Sequence, residues 1–141
     1  MVYMISFYYF NKLGEKMRYY KVTYNKQHEP TFEWLKEHTQ PLSTDGNYFQ
    51  RHMDISYQDI VAKLGNPHHE GDCYKTDAQW ELGFIDKEGN GLIATIYNWK
   101  NGRNYLGVEG LSPEFIDHWH IGGLSGEVVP LVKELLGINH G

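Results

Sequence analysis

Short stretches of aromatic and β-branched residues recur along the chain, and several of them alternate between apolar and polar positions. Such stretches are typical of β-strands. The two most regular cover residues 79–85 and 92–99, and the glycine-containing residues 86–91 between them suit a turn. We therefore predict a central antiparallel hairpin over about residues 79–99. Weaker strand patterns occupy residues 18–24, 48–55 and 117–121.

Helix signals lie between these strands. Ser56 and Asp59 have the spacing of a capping box, and the apolar residues that follow fall on one helical face until Gly65. A proline near the first turn marks three further candidate helices, at residues 30–38, 112–114 and 125–136. Together the strands and helices predict a single α+β domain, in which about three helices pack against a small antiparallel sheet.

Residues 1–17 are rich in apolar and aromatic side chains and precede the first regular strand pattern. They have neither the basic start nor the small-residue cleavage site of a secretion signal. We expect them to be a variable extension or an edge strand, ahead of one α+β domain over residues 18–141. A chain of 141 residues is long enough for one sizeable core, whereas two cores would each be marginal.

The charge balance narrows the classes of partner. The chain has 13 lysines and arginines against 18 aspartates and glutamates, a net charge of −5. No basic stripe is available for a run of phosphates, so we expect no direct binding to duplex nucleic acid. The single cysteine, Cys73, excludes an internal disulfide and suits a reducing cytoplasm. No apolar run is long enough to predict a membrane span.

The segment that follows the second hairpin strand concentrates side chains that bind flat anions. Aromatic rings stack on a nucleobase, lysine and arginine bind phosphate, and asparagine reads a base or ribose edge. The candidate ligand-binding residues in this segment are Tyr97, Asn98, Trp99, Lys100, Arg103, Asn104 and Tyr105. The alternative is a surface hairpin whose aromatic rings cover the core.

A second group of candidates contains His118, Trp119 and His120. On a strand both histidines project to one face, a geometry that zinc-binding histidines use, and Trp119 projects to the other. A metal ion needs more than two ligands. The remaining candidate ligands, which no spacing fixes near this pair, are His68, His69, Asp72 and Cys73. We therefore expect neither a metal nor a cofactor, and we assign Trp119 and His120 to the wall of a ligand pocket.

The rest of the chain adds one further group of polar candidates and no catalytic motif. Lys75 and Asp77 would supply polar groups beside the same pocket, or else belong to a structured loop ahead of the hairpin. The chain has no phosphate-binding glycine loop, serine-hydrolase elbow, zinc-protease motif or deaminase motif. We therefore expect a binding protein rather than an enzyme.

Five short motifs resemble one group of known proteins. They are YQDIV at residues 57–61, LGxP at 64–67, KTDAxW at 75–80, ATIYNWK at 94–100 and WHIGG at 119–123. In this order they resemble small proteins encoded by phages and prophages, over about half of the chain. The resemblance implies an accessory phage protein made in the cytoplasm of the infected bacterium. Such proteins are often devoted to disabling host defence.

Two functions from different classes follow as hypotheses. The first is a non-catalytic binding protein, possible also as a homo-oligomer, that sequesters a nucleotide-derived immune signal of the host. Replacement of Arg103 and Tyr97 would then abolish capture of the small molecule. The second is a direct protein inhibitor of a host nuclease such as a CRISPR effector, in which surface acids would dominate. A third hypothesis is a phosphodiesterase-like enzyme that degrades the signal.

Overall fold

A computed structural model describes residues 5–21, 48–67, 74–85 and 91–138, which contain six strands and three α-helices. The strands are β1 (Ile5–Phe10), β2 (Lys16–Lys21), β3 (Tyr48–Asp54), β4 (Gln79–Ile85), β5 (Gly91–Tyr97) and β6 (His118–Gly123). The helices are α1 (Tyr57–Leu64), α2 (Arg103–Leu106) and α3 (Val128–Leu135), and two 3₁₀ turns cover Gly107–Glu109 and Pro113–Phe115. None of the helices in these ranges is long and apolar enough to span a membrane.

The six strands form one sheet in the order β1-β2-β4-β5-β6-β3, and every neighbouring pair is antiparallel. β4 and β5 pair along their whole lengths, from Gln79 opposite Tyr97 to Ile85 opposite Gly91. β6 lies alongside β5, and β3 forms the edge beyond it. The predicted α+β domain with an antiparallel sheet is confirmed. The turn predicted at residues 86–91 lies outside the described residues up to residue 90.

Alternation along the strands gives the sheet one buried apolar face. Trp80, Leu82 and Phe84 of β4 point to this face and are at most 1% exposed. Helices α1 and α3 pack against it, because their own apolar stripes belong to the same core. The other core residues of β5, β6, α1 and α3 are Ala94, Ile96, Trp119, Ile121, Ile60, Leu64, Val128, Val132 and Leu135. The polar residues of β6, including both histidines, therefore lie on the opposite face.

Helix α1 has the ends that its sequence predicts, whereas α3 covers Val128–Leu135 and begins three residues later than the predicted range 125–136. The hydroxyl of Ser56 accepts the backbone N–H of Asp59 at 3.1 Å and caps the start of α1. Gly65 ends this helix with a φ of 81°, a conformation that glycine adopts without strain. The Gly65 carbonyl accepts the indole N–H of Trp80 at 3.0 Å, which ties α1 to the centre of the sheet. Pro130 is the third residue of α3, where its missing N–H costs no helical hydrogen bond.

For two segments the sequence had left alternatives open. Part of residues 1–17 forms the edge strand β1, and Tyr9 on that strand is only 5% exposed, so this part packs into the core. After β5 the chain forms α2 and a 3₁₀ turn rather than the second strand of a surface hairpin. The sequence predictions that lie outside the described residues are the helix at 30–38 and the segment with His68, His69, Asp72 and Cys73.

Candidate functional site

Asn98, the first residue after β5, is completely buried. Its side-chain oxygen accepts the backbone N–H groups of Asp77 and Ala78, at 2.7 and 3.1 Å. Its amide nitrogen donates to Oδ1 of Asp77 at 2.9 Å and to Oδ1 of Asn101 at 3.0 Å. These four bonds use both donors and both lone pairs of the amide. Asn98 therefore has no hydrogen-bonding capacity left for a ligand.

Asp77 and Asn104 extend the same set of contacts. Oδ2 of Asp77 accepts the backbone N–H of Asn104 at 3.0 Å, and the Asn104 side chain donates to the Thr76 carbonyl at 3.2 Å. A Cβ atom at Gly102 would overlap the Asp77 carboxylate, so only glycine fits there. We call Asp77, Asn98, Asn101 and Asn104 the Asn98 network. It fixes the two loops that leave β5 and enter β4.

The aromatic and cationic residues of these loops meet at the surface. Lys75 Nζ lies 5.7 Å from the ring centroid of Tyr74 and 5.5 Å from that of Trp99. Lys100 Nζ lies 5.6 Å from the ring centroid of Trp99 and 5.4 Å from that of Tyr105. Tyr74 and Tyr105 are in ring contact at 5.5 Å, and all three rings are exposed. These five residues form what we call the ring–lysine cluster.

Lys100 has an unusual backbone conformation for a lysine. Its φ is 59°, in the left-handed region that favours glycine and asparagine. Its backbone N–H donates to the carbonyl of Lys75 at 2.7 Å, which joins the two loops beneath the ring–lysine cluster. A residue held in this conformation costs about 1 kcal/mol or more and is common at functional sites.

Two further predicted ligand-binding residues, Trp119 and Arg103, belong to neither the Asn98 network nor the ring–lysine cluster. Trp119 is fully buried and packs against Trp80 at 5.3 Å and Tyr57 at 6.3 Å between ring centroids. Its indole thus belongs to the core and not to a surface that a ligand contacts. Arg103 is exposed on α2, and its Nε is 3.5 Å from the carbonyl oxygen of Gly110.

The histidines of β6 have a third histidine beside them. His118 and His120 lie two residues apart on the face of the sheet opposite the core, and His52 of the edge strand β3 pairs directly with His120. The ring centroid of His52 is 4.7 Å from that of each partner. One ring nitrogen from each residue lies within 4.8 Å of the other two. We call these three residues the histidine trio.

His52 was not among the candidate residues, because the pairing of β3 with β6 joins residues that are far apart in the chain. We expected no metal, since only His118 and His120 had a defined spatial relation. A signal was nevertheless present: His52 lies in a strand pattern, on the face opposite the apolar Met53. The register of β3 against β6 places His52 directly opposite His120 and so brings the three histidines together.

The surroundings of the histidine trio orient its rings. Nδ1 of His118 is hydrogen-bonded to Oδ1 of Asp54 at 2.8 Å. Phe49 contacts the rings of His52 and His120, with centroids 4.8 and 4.9 Å apart. Burial, together with the nearby imidazoles of His52 and His118, lowers the pKa of His120 to about 4. His120 is therefore neutral near pH 7, and a neutral imidazole is the form that binds metals.

Trp99 connects the histidine trio to the ring–lysine cluster. Its ring stacks on that of His120 with centroids 6.3 Å apart and planes inclined by 25°. Tyr97 contacts both of these rings edge-on, at 6.3 Å from Trp99 and 5.4 Å from His120. Burial raises the pKa of the Tyr97 phenol, so this group stays protonated. The predicted residues Tyr97, Trp99 and His120 thus lie in one continuous surface.

The fold and site define an antiparallel α+β protein with helices on one face of its sheet and an aromatic, histidine-bearing surface on the other. Comparison with protein-family models, with curated proteins and with solved structures gave no significant match.

Proposed function

We propose that this chain is a non-catalytic binding protein for a nucleotide-derived small molecule. The observation that carries the proposal is the ring–lysine cluster, in which the Nζ atoms of Lys75 and Lys100 lie 5.5 and 5.6 Å from the centroid of the exposed Trp99 ring. Aromatic faces stack on nucleobases of any sequence, and two ammonium groups beside them are suited to phosphates. A flat anion meets both requirements.

The Asn98 network supports the proposal by holding the cluster in place. Its hydrogen bonds fix the backbone that follows Lys75 and the residues on either side of Trp99, so the rings lose little further freedom when a ligand binds. Preorganisation of this kind improves affinity without any new contact. The strained backbone of Lys100 agrees with a functional demand for a cation at that position.

The ligand class follows from the resemblance to phage proteins. We infer that the bound molecule is a nucleotide-derived immune signal of the bacterial host, and that the protein sequesters it in the infected cytoplasm. A protein that sequesters a signal must compete with the receptor of the host. Its dissociation constant should then be nanomolar, which corresponds to about −12 kcal/mol.

Calorimetric titration of the full chain tests this function. The panel consists of cyclic oligonucleotides, cyclic ADP-ribose isomers and plain mononucleotides. We expect tight binding of one class, and recovery of that ligand unchanged after the protein is denatured. No heat of binding across the panel would refute the proposal, and recovery of a cleaved product would show an enzyme instead.

Matched variants locate the binding surface. Tyr105→Leu removes one ring of the cluster, and we expect it to weaken binding about tenfold, the effect of one stacked base. Tyr8→Leu is the control, because the exposed Tyr8 ring also lies against a lysine, with Lys16 Nζ 4.1 Å from its centroid, on the β1–β2 edge. Equal losses in the two variants would place the binding surface elsewhere.

A protein partner is the second candidate, because exposed apolar side chains are frequent from Leu106, the last residue of α2, to Phe115. Val108 is 97% exposed and Phe115 is 70% exposed, and Leu106 and Leu111 are also exposed. Exposed apolar residues of this kind are typical of protein interfaces. If the panel gives no binding, the double variant Val108→Ser/Phe115→Ser should abolish capture of a purified host nuclease, such as a CRISPR effector, that the unaltered chain inhibits.

A further inference from the structure

We propose that the histidine trio binds one divalent transition-metal ion of the zinc type, with His52, His118 and His120 as ligands and Asp54 as a positioning residue. This inference does not depend on the proposed nucleotide binding. The sequence relates only His118 to His120, and the third ligand, His52, joins them through the pairing of β3 with β6.

The backbone of the sheet places the three imidazoles within reach of one ion. Zinc–nitrogen bonds of about 2.0–2.1 Å in a tetrahedral site separate the nitrogens by about 3.4 Å. One nitrogen from each ring already lies within 4.8 Å of the others. Rotation about side-chain torsions closes the remaining distance, while the strand register stays unchanged.

A metal-binding histidine commonly donates the N–H of its second ring nitrogen to a carboxylate, and Asp54 makes this contact with His118. A carboxylate that accepts the N–H of one imidazole nitrogen fixes the ring and leaves the other nitrogen free to coordinate. Asp54 pairs with His118 across β3 and β6, and its Oδ1 lies 2.8 Å from Nδ1 of His118. Nε2 of His118 is then the nitrogen available to the metal.

The chemistry of the trio selects the type of metal. Imidazole nitrogens suit zinc, cobalt, nickel and copper, whereas magnesium and calcium require oxygen ligands. His52 is exposed, so solvent reaches the site. The three ligands found among the described residues leave one position of a tetrahedral ion for a fourth ligand, such as water or an anionic oxygen.

Metal titration of the intact chain tests the site. The protein is stripped with a chelator, and zinc is added in competition with a chromophoric chelator, without any nucleotide. We expect one equivalent to bind tightly, magnesium not to compete, and cobalt(II) to produce the visible absorption bands of a tetrahedral site. His52→Gln and His120→Gln should each weaken zinc binding more than the 10- to 100-fold expected of the outer-contact variant Asp54→Asn.

A matched control separates the trio from the other histidines. The double variant His68→Gln/His69→Gln removes two imidazoles, and we expect it to keep the full affinity and the cobalt spectrum. His52→Gln is the main test variant because this exposed side chain contributes nothing to the core, and circular dichroism verifies that it folds. Absence of stoichiometric zinc binding, or unchanged affinity in His52→Gln, would overturn the proposal. Loss of affinity in the control would also overturn it.

Discussion

The Asn98 network and the histidine trio are both groups of polar side chains brought together by neighbouring strands, and they differ in how their atoms match. In the network both N–H donors and both lone pairs of the Asn98 amide have partners, so Asn98 makes four hydrogen bonds inside the protein. The contacts among described residues include no hydrogen bond between two rings of the trio; its rings pack against one another instead. Polar side chains whose donors and acceptors are paired with one another stabilise the fold, whereas three imidazoles close together can all bind one metal ion.

The largest expected change in stability comes from a substitution in the Asn98 network. Asn98→Ala leaves two buried backbone N–H groups and part of the Asp77 carboxylate without partners, so we expect a loss of about 3 kcal/mol in the free energy of unfolding. Urea denaturation measures it. Asn104→Ala, which removes one side-chain bond at the surface, should lose about 1 kcal/mol or less. If both variants lose the same free energy of unfolding, the buried hydrogen bonds of Asn98 stabilise the fold no more than the single surface bond of Asn104.

Replacement of a residue of the histidine trio should leave the stability of the metal-free chain nearly unchanged and should remove the stabilisation by zinc. His52→Gln is expected to change the stability of the metal-free chain by less than about 0.5 kcal/mol, because His52 is exposed. Zinc at about 100 times its dissociation constant should stabilise the unaltered chain by about 2.7 kcal/mol and leave His52→Gln unaffected. Thermal unfolding with and without zinc measures both values. A large loss of stability in metal-free His52→Gln would make the trio structural.

Trp99 lies between the two candidate binding regions and sharpens the comparison further. Trp99→Leu removes a stacking ring from the ring–lysine cluster and leaves the three imidazoles in place. We expect nucleotide affinity to fall by about 1–2 kcal/mol and zinc to bind within about threefold of its original affinity. Parallel calorimetric titrations with each ligand check this outcome. A zinc affinity that falls as much as the nucleotide affinity would mean that the two regions form one site.

The smallest effect concerns the strain at Lys100. Lys100→Asn places a residue that tolerates positive φ at this position, so we expect about 0.5–1 kcal/mol of added stability. The same change removes a cation beside Trp99 and should weaken nucleotide binding. Denaturant unfolding and calorimetry measure the two opposite changes. If binding is unaffected, Lys100 does not contact the ligand.

Local sequence patterns predicted much of the fold. The alternation in β4, the apolar run in β5 and the Ser56–Gly65 limits of α1 depend on neighbours within a few residues, and all three appear where they were expected. The concentration of aromatic and cationic residues after β5 was also visible in the sequence. Residue types alone, however, did not divide them between the surface and the interior.

The tertiary structure decided which of these residues are exposed and which are buried, and it brought the histidine trio together. Asn98 is buried, and its side chain accepts the backbone N–H groups of residues 77 and 78, whereas the neighbouring Trp99 and Lys100 side chains are exposed. His52 joins His118 and His120 because β3 takes the far edge of the sheet beside β6. Strand order depends on pairing between distant segments, which carries no local signal in residue spacing. The sequence by itself therefore determined the elements and the chemical character of the surface, and the pairing of β3 with β6 determined where three of its histidines meet.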